Sequence, residues 1–129
     1  MKHFIAITLL LALFAAGCSD RILIKGTVSY EDDGLPVKHG IIHFDSAVGS
    51  FSSTFTNGNY KTGGEKKVQG IPPGQYTVWL SNVHDSTEEG GIVRRVSSEF
   101  CSRNSSPLTF EVKKGGPRRF DLKVTKPPE

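Results

Sequence analysis

At 129 residues the chain suits a single domain, one that buries roughly two-thirds of the surface its unfolded form exposes. Its formal net charge is +3, from 16 Lys and Arg against 13 Asp and Glu, and one of those cations, Lys2, falls in the leader read below. So even a balance gives no compositional argument for nucleic-acid binding or for a polybasic membrane patch.

Residues 1–17, MKHFIAITLLLALFAAG, begin with Lys2 and His3 and continue as an uncharged apolar run from Phe4 to Ala16, the layout of a secretory leader. A membrane-spanning helix needs about 20 apolar residues, and this run is shorter. The stretch AAGC, Ala15 to Cys18, resembles the lipobox of bacterial lipoproteins, where small side chains precede the cysteine that receives lipid. The resemblance implies cleavage before Cys18 and a diacylglyceryl group on its sulfur, and Ser19 in place of Asp implies export to the outer membrane, facing periplasm or cell surface. Two acyl chains hold stably where one is marginal, because each buried methylene contributes about 0.8 kcal/mol. With Cys18 acylated, Cys101 has no partner in the chain, so no internal disulfide supports the fold.

Beyond the leader no stretch spaces its apolar residues at helical period, while alternation of period two recurs between Gly, Pro, Asn and Asp. ILIKGTVSY puts Ile22, Ile24, Val28 and Tyr30 on one face, and EDDGLP turns the chain. GIIHFD points Ile42 and Phe44 inward and Ile41, His43 and Asp45 outward. A Ser-rich segment leads to Asn57-Gly58, suited to a type I′ turn because both central positions need positive φ. Tyr60 opens the return strand, which Gly63-Gly64 ends. In VQGIPPGQYTVWL, Pro73 fits position i+1 and Gly74 position i+2 of a type II turn, Ile71 plugs the end of the core, and Tyr76, Val78 and Leu80 face inward. LTFEV and FDLKV follow, joined by KKGGP. The expectation is all-β: a seven-stranded antiparallel Greek-key β-sandwich, prealbumin-like or Ig-like, preceded by a cleaved signal peptide. The expected division is a leader over 1–17, a lipidated tether over 18–21, the sandwich over 22–125 and a tail over 126–129.

GTVSYEDDGLPVKHGIIHF, NGNY, VQGIPPGQYTV and SPLTFEVKKGGPRRFDLKV together resemble the carboxypeptidase regulatory-like, or transthyretin-like, β-sandwich domain of bacterial lipoproteins. The likeness runs from about Ile24 to Val124, with Phe55 where the family's hairpin carries aspartate. Its motifs describe turns and core positions, so it implies a fold and no particular activity. One enzyme of the transthyretin fold, hydroxyisourate hydrolase, ends in Tyr-Arg-Gly-Ser; here the last residues are Lys126-Pro127-Pro128-Glu129, which sets that reaction aside.

Chemistry-bearing side chains are sparse. His39 and His43 lack the intervening glutamate of the zinc-protease helix, and on a strand four residues span about 13 Å, too far for one metal. His43 with Asp45 lacks further ligands, and Glu31 to Gly34 lacks the spaced ligands of a calcium loop. Cys101 has no evident base, and no nucleophile elbow, phosphate loop or dinucleotide fingerprint occurs. No catalytic residue, metal or cofactor is assigned. Ser81 to Ser106 spans 26 residues without a clear strand, long enough to suggest either a recognition loop or an excursion that packs Ile92, Val96 and Phe100 onto the sheet. The candidate ligand contacts are Trp79, Arg94 and Arg95, and Cys18 is the lipidation site. The reading is a non-catalytic, lipid-anchored envelope protein: a structural or binding module whose partners are membrane lipid and an envelope protein or glycan, with no nucleic acid. The alternative is a carbohydrate-binding module of the starch-binding sandwich type, resting on Trp79.

Overall fold

The computed structural model describes residues 21–62, 70–86 and 88–128. The leader, Cys18 and Gly63-Gly64 lie outside them. The chain forms β1 (Lys25–Tyr30), β2 (His39–Ser46), β3 (Gly49–Thr56), β4 (Asn59–Lys61), β5 (Gly74–Ser81), β6 (His84–Ser86), β7 (Ile92–Arg94), β8 (Leu108–Val112) and β9 (Leu122–Val124), with one 3-10 turn at Ser98–Cys101.

Alternation does the work that the sequence assigns to it. Ile42 and Phe44 of β2, and Tyr76, Val78 and Leu80 of β5, are buried, whereas Ile41, His43, Asp45, Thr77 and Trp79 face outward. Ile22, Ile24, Val28 and Tyr30 are buried together, as their shared phase predicts. The few buried polar side chains are bonded: Thr62 Oγ1 accepts from the Ile24 amide at 2.9 Å, Ser53 donates to the Lys61 carbonyl at 2.8 Å, and Ser29 accepts from Lys123 at 2.9 Å.

Seven strands join in the order β8-β5-β2-β3-β4-β1-β9, and within it β5-β2-β3-β4 is a Greek key. The sheet curls into two layers. Phe44 of β2 reaches Tyr60 of β4 with ring centroids 6.1 Å apart, although β3 lies between those strands in the order. Phe110 of the β8 edge stacks at 4.6 Å on Phe120, just before the β9 edge. One pairing departs from the antiparallel expectation: β9 runs parallel to β1, with Val28 opposite Leu122.

The Asn57-Gly58 hairpin forms with φ of 51° and 77°. The turn expected at Pro73-Gly74 does not. Gly74 opens β5 opposite Val112, and the positive φ falls instead at Gly70, at 96°. A Cβ on Gly70 would come within 2.7 Å of the Ile22 backbone, so glycine there lets Ile22 and Ile71 exchange two main-chain hydrogen bonds at 2.9 Å. Proline fixes its own φ near −65°, and the chain bends at Pro73 on its way from that bridge into β5. Ile71 is buried, as expected.

The excursion after β5 also needs correction. It contains a two-stranded hairpin, β6–β7, in place of irregular chain. Val96 and Phe100 pack into the core as expected, but Ile92 is 72% exposed. The sandwich thus has two distinct ends. One gathers Ile22, the turn at 47–48, Gly70–Gly74 and the end of β8, with Gly74 facing Val48 and Ser46. The other gathers the turn at 31–38, Asn57-Gly58, the start of the excursion and the tail, with Gly58 against Pro36 and Lys126 on Asp33.

Candidate functional site

Two surfaces carry the candidate residues. On the outer face of β2 and β5, the register sets His43 opposite Trp79. Their rings stack at 3.9 Å with planes 12° apart. The indole N–H donates to Asp45 Oδ2, and His43 Nε2 shares a 2.7 Å hydrogen bond with Ser81 Oγ. Burial pushes the His43 imidazole below its usual range, opposed by the Asp45 charge. Burial would raise Asp45, yet hydrogen bonds from Ser50 and Trp79 outweigh it and hold the carboxyl low. Trp79 therefore points outward with one face covered by imidazole and its N–H engaged, which leaves a ligand a single indole face.

Arg94 and Arg95 belong to the tail end of the sandwich, where a groove of about 340 Å³ is lined by Tyr30, Leu35, Lys38, Val93 and Lys126 as well. Arg95 pairs with Asp85, which also meets His39 Nε2 at 3.1 Å. The hydrogen bond from Arg95 is the main reason the Asp85 carboxyl sits below its usual range. The Tyr30 hydroxyl donates to the Arg95 carbonyl at 3.1 Å, and the Lys126 ammonium lies 4.9 Å over the Tyr30 ring while bonding Asp33 at 2.8 Å. These contacts tie the first turn, the hairpin and the tail together. Arg94 is exposed. β7 beside it has one strand neighbour, and the Arg95 amide bond to the Val83 carbonyl fixes its phase, so the main-chain groups of Ile92 and Arg94 point away from β6.

The structure therefore separates Trp79 on the flank from Arg94 and Arg95 at one end. Sequence reading missed Lys38, Lys126 and Tyr30 as their neighbours, because a pattern of local alternation says nothing of which turns meet. Exposed Leu35 and Val93 are the available signal, two large apolar residues within polar stretches of sequence. His84 and Cys101 line one small cavity of about 280 Å³. The Cys101 thiol donates to the Ser97 carbonyl at 3.6 Å, and burial pushes it up, away from the thiolate that nucleophilic chemistry needs. His39 and His43 make separate contacts, with Asp85 and Trp79 respectively. Among the described residues no three His, Cys, Asp or Glu side chains converge on a metal position.

No protein-family model matches this sequence, and no curated protein does. Two solved structures of BcpA, the major pilin subunit of Bacillus cereus, share its architecture. One, a single-substitution variant, superposes with a TM-score of 0.53 at 12% identity over 84% of this chain. The other gives 0.51 at 13% identity over 83%. In both the match spans 30% of the pilin chain. At such identity the likeness carries the fold alone: this chain is an all-β sandwich.

Proposed function

We propose that the protein is a non-catalytic, lipid-anchored module of the bacterial cell envelope, built on a sandwich of the carboxypeptidase regulatory-like or transthyretin-like kind. The observation that carries this reading is the closeness of lipid and domain. Ala15 to Cys18 has the lipobox pattern, and only four residues later Ile22 is locked to Ile71 by paired main-chain bonds. Residues 18–21 can span at most about 3.6 Å each, so the Ile22 end stands against the membrane. The opposite end, with its groove and the open edge of β7, faces away, toward an envelope partner. The mechanism is passive: the lipid sets location and height, and the far surface offers contacts. Pilin subunits of related architecture fit such a structural role. The glycan-binding alternative is weakened by the imidazole that covers one face of Trp79.

Metabolic labelling with radioactive palmitate tests the anchor. The expected result is a labelled band in the membrane fraction that disappears in Cys18→Ala. An unlabelled chain, or one labelled regardless of Cys18, would overturn the reading.

A further inference from the structure

The near-even charge balance of the whole chain hides an uneven placement. Arg21, Lys25, Lys61, Lys113, Arg118 and Arg119 are all exposed and all gather at the Ile22 end. Lys25 stands opposite Lys61 in the β1–β4 register and bridges to Arg119, and the Lys25 amide bonds the Arg118 carbonyl at 3.1 Å. Lys113 follows Val112, which pairs with Gly74 beside Val48, and Arg21 lies 5.7 Å over the Phe51 ring at the start of β3. Among the described residues three carboxylates stand at this end, and one of them, Asp45 beside the 47–48 turn, is engaged by Trp79 and Ser50. Glu111 approaches Lys113 at 3.7 Å and Asp121 pairs with Arg119 at 2.9 Å, both exposed. The other end has the reverse character. Glu31, Asp32 and Asp33 occupy its turn, and Asp85, Glu88 and Glu89 its hairpin, alongside Lys38, Arg94, Arg95 and Lys126.

The geometry points to the Ile22 end as a face that lies against an anionic lipid surface, an inference that rests on the lipid-anchor reading. The tether leaves from the same end as the cations and reaches at most about 14 Å, so acylation holds them at a distance comparable to the Debye length of about 10 Å, where headgroup charge is still felt. Exposed Val48 lies at that end too, and 57% of it is open to meet the interface. Orientation follows from the pairing of charge and tether. The cationic end is drawn down, the carboxylates are pushed outward, and the groove at 30–38 is held facing away from the bilayer.

The test uses the mature lipidated protein in vesicles of phosphatidylcholine alone, or with about one-third phosphatidylglycerol, read by hydrogen exchange. Amides at 46–49 and 113–119 are expected to exchange several-fold more slowly on the anionic vesicles, with the difference lost in high salt. It should also be lost in Arg118→Glu/Arg119→Glu and in Lys113→Glu/Lys114→Glu, two pairs chosen so that misfolding of one leaves the other informative. Lys38→Glu/Arg94→Glu changes net charge equally at the far end and should keep the effect. Equal protection on both lipids, protection at 31–38 instead, or equal loss in the far-end variant would overturn the proposal. If palmitate labelling fails, the same chain added to preformed vesicles and sedimented tests the face without the anchor; no preference for phosphatidylglycerol there overturns it independently.

Discussion

In β2, Ile42 and Phe44 are buried between outward-facing neighbours; in β7, Ile92, Val93 and Arg94 are all exposed. Both are strands, held by different means. β2 is paired on both sides, by β3 and β5, and presents Phe44 to the rings of Tyr60 and Tyr76, each at 6.1 Å. β7 is paired on one side only, and its hairpin is fixed from outside, by Val96 and Phe100 entering the core and by the contact of Asp85 with His39 of β2. Packing on the strand itself therefore makes the sandwich, while packing beside the strand makes the hairpin. Local stability should divide along the same line.

The largest effect expected from that division is at Phe44. Phe44→Ala removes a 1% exposed ring and leaves a cavity between two tyrosines, at a cost of about 3–5 kcal/mol in urea denaturation. Phe100→Ala empties a position at the margin of the core, with an expected loss of about 1–3 kcal/mol. Hydrogen exchange should speed in β6 and β7 while β2 and β5 stay protected. If Phe100→Ala costs as much as Phe44→Ala and opens β2 too, the hairpin belongs to the same cooperative unit and the distinction fails.

The division also explains what is legible in the sequence alone. Residues 42, 44, 76, 78 and 80 were legible because one buried face imposes a period of two, and Asn57-Gly58 because positive φ selects its residues. The type II turn at Pro73-Gly74 is not formed because a Pro-Gly pair satisfies only a local rule, whereas the positive φ falls where the Ile22 backbone demands glycine, at Gly70. Parallel β9 and the β6–β7 hairpin left no local mark, as each depends on contacts distant in sequence: Lys25 with Phe120, and Asp85 with His39. Of the candidate site, Trp79 stands on its expected face, but its stack on His43 comes from the register between two strands distant in sequence, which alternation alone does not encode.

A pH titration sharpens the sandwich side of the comparison. His43 is neutral-favouring in the folded chain because burial depresses its imidazole, with Asp45 acting against it and Trp79 and Ser81 as its other close partners. The unfolded chain takes up a proton near 6.5 and the folded chain only at lower pH, so between those values the unfolded state binds more protons. Stability from this group is complete above about 6.5 and falls as pH drops below it. The depressed carboxylates, Asp45 and Asp121 among them, act only in the acid range below about 4, which leaves the histidine window clear. Urea midpoints should decline from pH 7 toward 5, and His43→Gln should flatten that decline. A decline unchanged in His43→Gln would place the titrating group elsewhere.

The smallest expected effect is at Asp85, which carries charge between the hairpin and its neighbours. Its carboxylate accepts from Arg95 and from His39, but all three side chains are substantially open to solvent, so water and salt screen most of the attraction. Asp85→Asn keeps an acceptor oxygen and removes the charge. The urea midpoint of the whole domain should stay within experimental scatter, since Val96 and Phe100 still hold the excursion down. Exchange at β6 and β7 should rise modestly, and the salt dependence that screening predicts for the parent protein should vanish. A loss of stability as large as that of Phe100→Ala would mean that the ion pair, and not the two apolar side chains, pins the hairpin, and the contrast with β2 would then be one of charge against packing.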